Sequence, residues 1–451
     1  MSEAARKIID SASELDRRMT DFSNSSPNYQ QLEKEYSQLA LQPGSAVLIF
    51  APNGIAFLFH WIAAIANGYV PCAIAPSTKI SLIKELQKSL HFVAIVGPQL
   101  DPTLYQAKYF GKIGTFNAVV FDNTKPAYEP NDVLILTTGT SGQRTACVHT
   151  VDSLVCNASM TNKALNITAN DKQLIVLPMY HTYGLVTQSI GAIISGCGLV
   201  IDGPPFNASR FAKLIEKEDI SIIAITPTIA RDLLKRDIVL PAVRVISIGG
   251  DQVSPEEVTR FLSKPFVNEL YITYGLTEAG PRVSFLPAHT APVDKYDTVG
   301  IPFDGISTRI ENPDVDGVGQ LLVKTPSVCR RKVGSTINRQ PFTSDGFLET
   351  GDLFIKDDAG YLRYVTRNAD ILFIKGEKLN ARSIDAVAQS HPHVEFARTT
   401  LNNVNLLVTR LWATDDKILD LEEVRRYMMS FLRLHEVPDN IIQETNAEFH
   451  K

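Results

Sequence analysis

The chain of 451 residues contains few of the residues that build cross-linked or metal-bound frameworks. Its cysteines are odd in number and scattered, none in a CxxC spacing, and they are Cys72, Cys147, Cys156, Cys197 and Cys329. Such a set argues against a disulfide or zinc framework. It predicts reduced thiols in a cytoplasmic protein.

The sequence also lacks a large excess of charge and a long uninterrupted apolar run. Its formal net charge of -5 gives no reason to expect binding to nucleic acids or to anionic membranes. Residues 1–18 are charged throughout, so we expect no signal peptide there. Residues 183–201 come nearest to a membrane span, but Gln188 and a Gly-Cys-Gly break at 196–198 favour a buried helix followed by a strand.

What the sequence does contain is a repeated alternation of strand and helix patterns. The length exceeds one hydrophobic core and predicts two or three domains. Helices are predicted at 55–67 and about 77–90, and further helices begin at Asn207 and Ser254. Strands are predicted at 46–50, 92–96, 174–177, 198–201, 221–225, 243–248 and 267–272. The alternation predicts an α/β fold with parallel-rich sheets covered by helices.

The pattern changes near residue 298 and again near residue 368. Short β segments and turns at about 298–365 predict a β-rich subdomain within a large N-terminal domain, residues 1–367. Residues 368–451 combine a helix near 381–390, two strands within 394–411 and an amphipathic helix at about 421–434. This part predicts a small α+β C-terminal domain.

A loop rich in small residues and hydroxyls follows the apolar strand "VLIL" at 133–136. It consists of Thr137, Thr138, Gly139, Thr140, Ser141 and Gly142. Glycines let the backbone approach phosphate oxygens, and amide and hydroxyl groups then donate hydrogen bonds to them. The spacing is not that of a Walker loop. A flexible surface loop is the alternative interpretation.

A second motif, "ITYGLTEAG", occupies residues 272–280. It places Tyr274, Gly275, Thr277 and Glu278 just after a predicted strand. A carboxylate at the carboxyl end of a strand suits a magnesium ion that bridges phosphates. The alternative is an ordinary loop in which Glu278 is solvated.

Two further candidates follow in the β-rich part. Asp352 in "LETGDL" is suited to accept hydrogen bonds from a ribose diol, although turn aspartates are common. Arg367 precedes the last domain in "TRNADILFIKGEKLNARSID", residues 366–385, and taken alone it is a linker arginine.

The order of these motifs resembles the adenylate-forming superfamily, which includes acyl- and aryl-CoA synthetases, firefly luciferase and the adenylation domains of peptide synthetases. The similarity extends from about residue 45 to 451. It includes "LPMYHTYGL" at 177–185, "VISIGGDQVSPE" at 245–256 and "SHPHVEFA" at 390–397. The resemblance implies a large N-terminal domain joined by a hinge at Asn368–Asp370 to a small mobile domain.

The resemblance also implies a reaction. A carboxylic acid attacks the α-phosphate of ATP with Mg²⁺, which gives an acyl-adenylate and pyrophosphate. A thiol of coenzyme A or of carrier-protein phosphopantetheine then displaces AMP. The expected partners are therefore an organic acid and coenzyme A or an acyl or aryl carrier protein, with no nucleic acid and no membrane span. We expect a monomer or a homodimer.

Site roles follow from the same resemblance. Thr138 to Gly142 would hold the pyrophosphate end of ATP, Glu278 would bind Mg²⁺ and Thr277 would contact the α-phosphate. The adenosine moiety would be held by Tyr274, Gly249, Gly250 and Asp251 around the adenine, and by Asp352 with Arg367 at the ribose. We expect Thr138, Glu278, His181 and Arg367 to be the catalytic residues.

His181 stands where acyl- and aryl-activating members of the superfamily border the carboxylate pocket. Amino-acid-activating members carry an aspartate in this region, and "LPMYHTYGL" has none. A non-amino organic acid is therefore the expected substrate. A packed core histidine remains the alternative interpretation of His181.

The chain departs from the superfamily at three basic positions. The loop continues with Arg144, Thr145 and Ala146 where relatives have proline, lysine and glycine. The hinge-segment lysine of many relatives is Phe373 here, and Lys375 would point to the same face of an extended strand. The given sequence ends at Lys451, about where the segment with the usual C-terminal lysine would begin, so that either the lysine lies beyond this end or the protein adenylates without it. Whether Arg144 or Lys375 replaces these charges stays open.

These departures leave two alternatives beside the acid–thiol ligase. One is a degenerate member of the superfamily that binds a nucleotide or an adenylate with little turnover. The other is an adenylating enzyme that transfers the acyl group to an amine and forms an amide.

Overall fold

The computed structural model describes residues 1–21, 27–98, 100–105, 107–122, 125–138, 144–236, 238–334, 340–374, 377–402, 406–414 and 417–444. The loop residues Gly139, Thr140, Ser141 and Gly142 lie outside these ranges, as do Lys375 and Lys451.

The strands of the described part are numbered here in chain order. They are β1 Met19–Asp21, β2 Ala46–Phe50, β3 Val70–Ile74, β4 Phe92–Gly97, β5 Lys108–Ile113, β6 Phe116–Val120, β7 Asp132–Thr138, β8 Arg144–Thr150, β9 Lys172–Ile175, β10 Gly198–Ile201, β11 Ile222–Ile225, β12 Val243–Gly249, β13 Val267–Gly275, β14 Arg282–Pro287, β15 Ile301–Pro302, β16 Ser307–Glu311, β17 Gly319–Lys324, β18 Arg331–Val333, β19 Leu348–Lys356, β20 Leu362–Arg367, β21 Ile371–Ile374, β22 Glu377–Asn380, β23 Val394–Leu401, β24 Leu407–Ala413 and β25 Asn440–Gln443.

The helices are numbered in the same way. They are α1 Glu3–Arg18, α2 Tyr29–Ser37, α3 Ile55–Ala66, α4 Ile80–Ser89, α5 Pro102–Tyr105, α6 Val151–Ala164, α7 Gly191–Ser195, α8 Ala208–Lys217, α9 Pro227–Arg236, α10 Pro255–Leu262, α11 Ala381–Gln389 and α12 Leu421–Met429. A π-helix, Tyr183–Ile190, precedes α7, and 3₁₀ turns occupy Thr277–Ala279, Val293–Lys295, Asn368–Asp370 and Leu434–Glu436.

Two eight-stranded sheets form the main architecture. The first has the order β1-β10-β9-β11-β12-β13-β14-β15 and is parallel up to β13. The second has the order β18-β8-β7-β3-β2-β4-β6-β5, with parallel pairing from β7 to β4. Antiparallel strands flank both parallel cores, as the pairs β13–β14 and β7–β8 show. The predicted α/β fold with parallel-rich sheets is confirmed.

Apolar residues explain how the sheets and helices pack. Helix α3, "IAFLFHWIAAIA", is apolar around its whole circumference, and Phe57, Phe59 and Trp61 are fully buried. A helix of this kind belongs in the interior of a large domain. The core cluster that contains α3 also takes residues from α1, α6 and strands of both sheets. These elements therefore share one hydrophobic core.

Capping residues begin the helices where the sequence predicts. Asn207 caps α8 by accepting a hydrogen bond from Arg210 N at 2.9 Å. Ser254 and Glu257 form a capping box at the start of α10. Residues 183–201 form a helix followed by β10, as expected, and within the described part of the chain no helix has the length and apolarity needed to cross a membrane.

The chain forms two compact units. One comprises Met1–Arg309, Leu322–Thr350 and Lys356–Arg363, and contains both eight-stranded sheets. The other comprises Ile310–Leu321, Gly351–Ile355 and Tyr364–Lys451. Its own core packs α11 and α12 on the three-stranded sheet β23-β24-β25 through residues such as Ile384, Val424 and Leu411.

A buried charge cluster lies in the second unit. Asp370 is 2% exposed, and its oxygens lie 3.1 Å from Arg382 Nε and 3.0 Å from Arg398 Nη2. Arg398 Nη1 also lies 3.9 Å from Asp385 Oδ2. Burial raises the pKa of Asp385 to about 6 from 3.8, although Thr399 and Arg398 oppose the shift.

This shift predicts a pH-dependent stability of α11 and β23. The folded state favours the protonated carboxyl of Asp385, so the stability it contributes is present below its unfolded pKa of 3.8 and is lost as the pH rises through about 6. The loss amounts to about 3 kcal/mol, since one pKa unit corresponds to about 1.4 kcal/mol. Asparagine does not titrate, so the Asp385→Asn variant should keep its stability over this pH range. The measurement is hydrogen exchange of the backbone amides in α11 and β23.

The measured quantity is the opening free energy of the mutant minus that of the parent protein. We expect this difference to grow by about 2–3 kcal/mol between about pH 4 and pH 7. Glu423→Gln, which changes an exposed carboxylate in the same unit, serves as the control. A difference that is independent of pH would contradict the assignment.

Candidate active site

The first part of the site is the hairpin formed by β7 and β8. Thr137 pairs with Thr145 and Thr138 with Arg144, and these are the pairs next to the predicted phosphate loop. The hydroxyls of Thr137 and Thr145 lie 2.8 Å apart, so Thr145 braces the base of the loop. Because the loop itself lies outside the described residues, its role as a phosphate cradle stays a prediction.

The turn after β13 holds Thr277 and Glu278. Two residues that are distant in sequence hold the backbone of this turn. Cys329 N donates to Glu278 O at 2.8 Å, and His149 Nε2 lies 2.8 Å from Thr277 O. Burial lowers the pKa of His149 to about 4, although Thr277 and Glu278 oppose the shift. The imidazole is therefore neutral at physiological pH, and it donates to the Thr277 carbonyl through Nε2.

Glu278 is paired with Lys332, a residue of β18. Lys332 Nζ lies 2.6 Å from Glu278 Oε1, and the two side chains are 20% and 17% exposed. Burial lowers the pKa of Lys332, but the charge of the Glu278 carboxylate and its hydrogen bond outweigh burial and raise the pKa above its ordinary value. The ammonium group is thus held in its charged form against Glu278.

This arrangement fits the Mg²⁺ that the resemblance implies. Proteins hold Mg²⁺ through one or two carboxylates together with substrate phosphates. A carboxylate offers two oxygens and about four lone-pair sites. Glu278 can therefore accept a hydrogen bond from Lys332 and also ligate a cation whose remaining ligands come from phosphates and water.

Two cysteines and a histidine lie together against this turn. Potential ligand atoms of Cys147, His149 and Cys329 are all within 4.8 Å of one another, and the three residues are buried. Both ring nitrogens of His149 have partners, since Nδ1 also lies 3.3 Å from Ser153 Oγ. Burial raises the pKa of Cys147 well above its ordinary value, which disfavours the thiolate that a metal needs. The cluster therefore packs the turn, and its two thiols are free in this structure.

Asn157 of α6 connects the elements around the turn. Its Nδ2 donates to Arg282 O at 2.9 Å and to Ser327 Oγ at 3.0 Å, and its Oδ1 accepts from Arg282 N at 3.0 Å. The residue is 1% exposed. A fully buried amide with this set of bonds holds the start of β14 rigidly beside Glu278.

The predicted adenine-side residues follow β12 and β13. Gly249 ends β12, and a Cβ there would lie 2.9 Å from Arg282 Nη1, so no side chain fits. Gly250 has φ +101°, a conformation that favours glycine. Asp251 is exposed, and its side chain accepts a hydrogen bond from Gln252 N. Tyr274 is half-buried and ends the strand together with Gly275.

The segment with His181 is anchored by one asparagine. Asn53 donates to Leu177 O and accepts from Met179 N, both at 2.8 Å. His181 itself is half-buried, with its ring 4.7 Å from that of Tyr180. Its Nε2 atom is buried, and the position of His181 at the acid pocket stays a prediction.

Arg282 lies where three of these segments meet. It is 4% exposed, and its guanidinium carbon lies 4.1 Å from the ring centroid of Tyr183. Its Nη1 donates to Thr273 Oγ1. The Tyr183 hydroxyl in turn lies 3.3 Å from both the carbonyl and the hydroxyl oxygen of Ser247. A buried cation therefore sits between the His181 segment and the ends of β12 and β13.

The predicted ribose-binding pair belongs to the second unit. Arg367 Nε lies 3.1 Å from Asp352 Oδ1, with the arginine 51% and the aspartate 4% exposed. A nearly buried carboxylate that is held by an arginine keeps a fixed orientation. The structure brings the two residues into contact, and their role at a ribose stays a prediction.

Comparison with known proteins identifies the fold family. The family model for AMP-binding enzymes matches residues 12–331, which is more than two thirds of the chain. The chain belongs to the AMP-binding enzyme family. The resemblance drawn from the motif order is confirmed.

Relatives in the AMP-binding family include acid–CoA ligases. The 2-succinylbenzoate–CoA ligase of Staphylococcus epidermidis RP62A is 27% identical over 266 residues, 58% of this chain and 55% of that protein. This alignment thus spans little more than half of the relative. The ligase of the same name from Staphylococcus aureus strain Newman is 26% identical over 412 residues, 82% of this chain and 81% of that protein.

Solved AMP-binding structures share the fold. The o-succinylbenzoate CoA synthetase of Bacillus subtilis, in complex with its acyl-adenylate, has a TM-score of 0.81 at 18% identity and covers 98% of this chain and 94% of its own. ATP-bound MatB from Rhodopseudomonas palustris has a TM-score of 0.72 at 17% identity and covers 98% and 95%.

Sequence analysis does not single out Lys332, Asn157 or Arg282 in this AMP-binding protein. Asn157 had a usable signal, because it shares the buried face of α6 with Ser153 and Thr161. A run of polar residues on the inner face of a helix indicates buried hydrogen bonding. Lys332 and Arg282 had no such signal, since their partners are distant in sequence or depend on the sheet register.

Proposed function

We propose that the protein is an ATP-dependent ligase that activates an organic acid as an acyl-adenylate and transfers the acyl group to a thiol. The observation that carries this proposal is Glu278, fixed at the carboxyl end of β13 against Lys332 and beside the β7–β8 hairpin. A carboxylate and a cation at this place suit the polyphosphate of ATP with its metal ion. The CoA ligases among the relatives support the proposal.

We assign Glu278 the role of a ligand of Mg²⁺. When bound, Mg²⁺ neutralises phosphate charge and orients the α-phosphate for attack. Thr277, in the same turn, contacts the α-phosphate. The hydrogen bonds from the His149 ring to Thr277 O and from Cys329 N to Glu278 O hold both residues in place before the substrate arrives, so little reorganisation is needed during the reaction.

We assign Lys332 the role of binding the β- and γ-phosphates of ATP. The strand register places Lys332 opposite Cys147 on β8. Thr145 lies on the same face of β8, two residues nearer the loop, and diagonal neighbours in a sheet are about 7–8 Å apart. An extended lysine side chain spans such a distance. Residues 137–146 contain one charged residue, Arg144. Lys332 thus adds a second positive charge at this end of the hairpin.

Asp352 is proposed to accept hydrogen bonds from the ribose hydroxyls, with Arg367 holding its carboxylate. Tyr274 and the Gly249–Asp251 segment are proposed to enclose the adenine. His181 borders the acid pocket. The hinge is proposed at Asn368–Asp370, a 3₁₀ turn whose Asp370 is bound to two arginines, between domains at 1–367 and 368–451.

The proposed acceptor is coenzyme A, with carrier-protein phosphopantetheine as the second thiol to test. The proposed setting is the cytoplasm, where free thiols such as those of Cys147 and Cys329 stay reduced. A monomer or a homodimer is the proposed assembly.

Acid-dependent exchange of radiolabelled pyrophosphate into ATP tests the first half of the reaction. We expect exchange with at least one organic acid and Mg²⁺, because formation of the acyl-adenylate is reversible while pyrophosphate is present. A panel of acids should be run with and without magnesium chloride. Product analysis with coenzyme A and with amines then separates thioester from amide formation. Tight AMP binding without exchange for any acid would contradict the ligase proposal and favour a nucleotide-binding role.

A further inference from the structure

We propose that Arg282 binds a second carboxylate of the acid substrate, so that the protein activates a dicarboxylic acid. This inference rests on the proposed function and specifies its substrate class. It follows from the unpaired edge of one buried guanidinium group.

The unpaired edge is the one suited to a carboxylate. Nη1 of Arg282 donates to Thr273, whereas Nε and Nη2 are buried without a hydrogen-bond partner among the described residues. Nε–H and Nη2–H are the two parallel donors of one side of the guanidinium plane. Two parallel donors match the two oxygens of a carboxylate, which gives a bidentate ion pair.

Burying the guanidinium group of Arg282 without a counter-charge costs free energy, and a bound carboxylate would remove this cost. Within the part of the chain that the structure describes, Arg282 has no ion pair with a carboxylate. A buried cation that lacks its counter-charge is strongly destabilising. The Tyr183 ring at 4.1 Å offsets part of this cost, because it presents its negative π face to the guanidinium carbon. It leaves both edge donors unused, since a π face interacts with the plane of the group.

Arg282 lies among the segments that the proposed function assigns to the acid pocket. Arg282 contacts Tyr183, which is two residues from His181, and it donates to Thr273, which precedes the adenine-side residue Tyr274 on β13. The absence of a side chain at Gly249 leaves room for its Nη1. The segments expected to shape the acid pocket therefore converge on the guanidinium group.

The second carboxylate, rather than the reacting one, is the ligand of Arg282. A carboxylate held by two charge-assisted hydrogen bonds in a buried site loses nucleophilicity, because its lone pairs are engaged and its charge is neutralised. The carboxylate that attacks the α-phosphate must stay reactive. A distal carboxylate has no such requirement, and its ion pair orients the substrate for attack.

Matched pairs of acids test the inference. Pyrophosphate exchange is measured for propanoate with succinate, butanoate with glutarate, and benzoate with its carboxy-substituted forms. We expect the parent protein to favour the dicarboxylic member of a pair by at least about tenfold in kcat/KM, as one buried charge-assisted contact implies. Equal or better use of the monocarboxylic members would overturn the inference and leave the ligase function intact.

The variant Arg282→Met removes the donors. We expect it to lower kcat/KM for the dicarboxylic acid about 30- to 100-fold, mainly through KM, and to lower kcat/KM for the monocarboxylic acids by a much smaller factor. Arg282→Lys should recover only part of the loss, because an ammonium group lacks the parallel donor pair. An equal loss for both classes of acid would show a merely structural role and overturn the inference.

Arg309→Met is the matched control. Arg309 also lies over an aromatic ring, Phe347 at 4.6 Å, but it is exposed and lies outside the segments around the acid pocket. This variant should leave the preference between the two classes of acid unchanged.

A second experiment applies if Arg282→Met does not fold. The midpoint of thermal unfolding is then measured for the parent protein and for Arg282→Lys, with succinate, glutarate and the monocarboxylic acids. Stabilisation of the parent by the dicarboxylic acids alone supports the inference, and equal stabilisation by both classes contradicts it.

If the parent protein shows no pyrophosphate exchange with any of the acids, the proposed ligase function itself is contradicted. The assignment of Arg282 then falls with it.

Discussion

Glu278→Gln is expected to lower acid-dependent pyrophosphate exchange about 100- to 1,000-fold. This is the loss typical when one preorganised electrostatic contact to a reacting centre is removed. Glutamine keeps the size of the side chain and its packing, but it carries no charge and is a poor ligand for Mg²⁺. The expected loss therefore lies in kcat and in a higher requirement for magnesium.

The structure explains why a neutral side chain cannot replace Glu278. Its carboxylate faces Lys332 at 2.6 Å, and the turn that carries it is held through the backbone by His149 and Cys329. Glutamine would keep these backbone bonds, since none of them involves the side chain. The fold of the turn should persist, and the loss should reflect charge alone.

Glu269→Gln provides the matched control for this variant. Glu269 stands on the same strand, β13, and contacts Arg244 at 3.5 Å and the Tyr271 hydroxyl at 2.8 Å. It lies at the opposite end of the strand from the 277–279 turn, so we expect near-normal exchange. A Glu278→Gln enzyme with normal exchange and an unchanged magnesium requirement would rule out the metal assignment.

Lys332→Met is expected to weaken ATP binding about 30- to 100-fold while AMP binding changes by no more than about twofold. The physical reason is that AMP lacks the phosphates assigned to Lys332. Isothermal titration calorimetry with ATP, pyrophosphate and AMP measures both affinities directly, without knowledge of the acid substrate.

Lys295→Met controls for the loss of a lysine–carboxylate pair. Lys295 Nζ lies 2.9 Å from Asp357 Oδ2 and its side chain is 26% exposed, close to the 20% of Lys332. This variant should leave both affinities unchanged, and Lys332→Arg should retain most of the ATP affinity. Equal weakening of AMP and ATP by Lys332→Met would indicate a structural role for the Lys332–Glu278 pair.

The sequence predicted most of the elements because their signals are local. The strands at 46–50 and 198–201 agree with β2 and β10, and the caps at Asn207 and Ser254 begin α8 and α10. Apolar runs, turn residues and capping side chains act within a few positions of the chain. The antiparallel flanks of both sheets were not predicted, since pairing direction depends on where the chain returns.

The order of the motifs was also sufficient for the family, because each motif combines several residue types at a set spacing. The site roles of Thr277 with Glu278 and of Asp352 with Arg367 were predicted in this way. His181 required the resemblance, since a pocket histidine and a core histidine look alike in sequence.

The sequence by itself therefore determined the α/β fold, the family and the motif residues. Tertiary structure alone decided how charges are arranged around them. Lys332 is 54 residues from Glu278, and only the pairing of β18 with β8 brings the two together. The unpaired edge of Arg282 likewise depends on which neighbours the fold supplies. Electrostatic interactions act over a few ångströms in space, and the chain order does not record these distances.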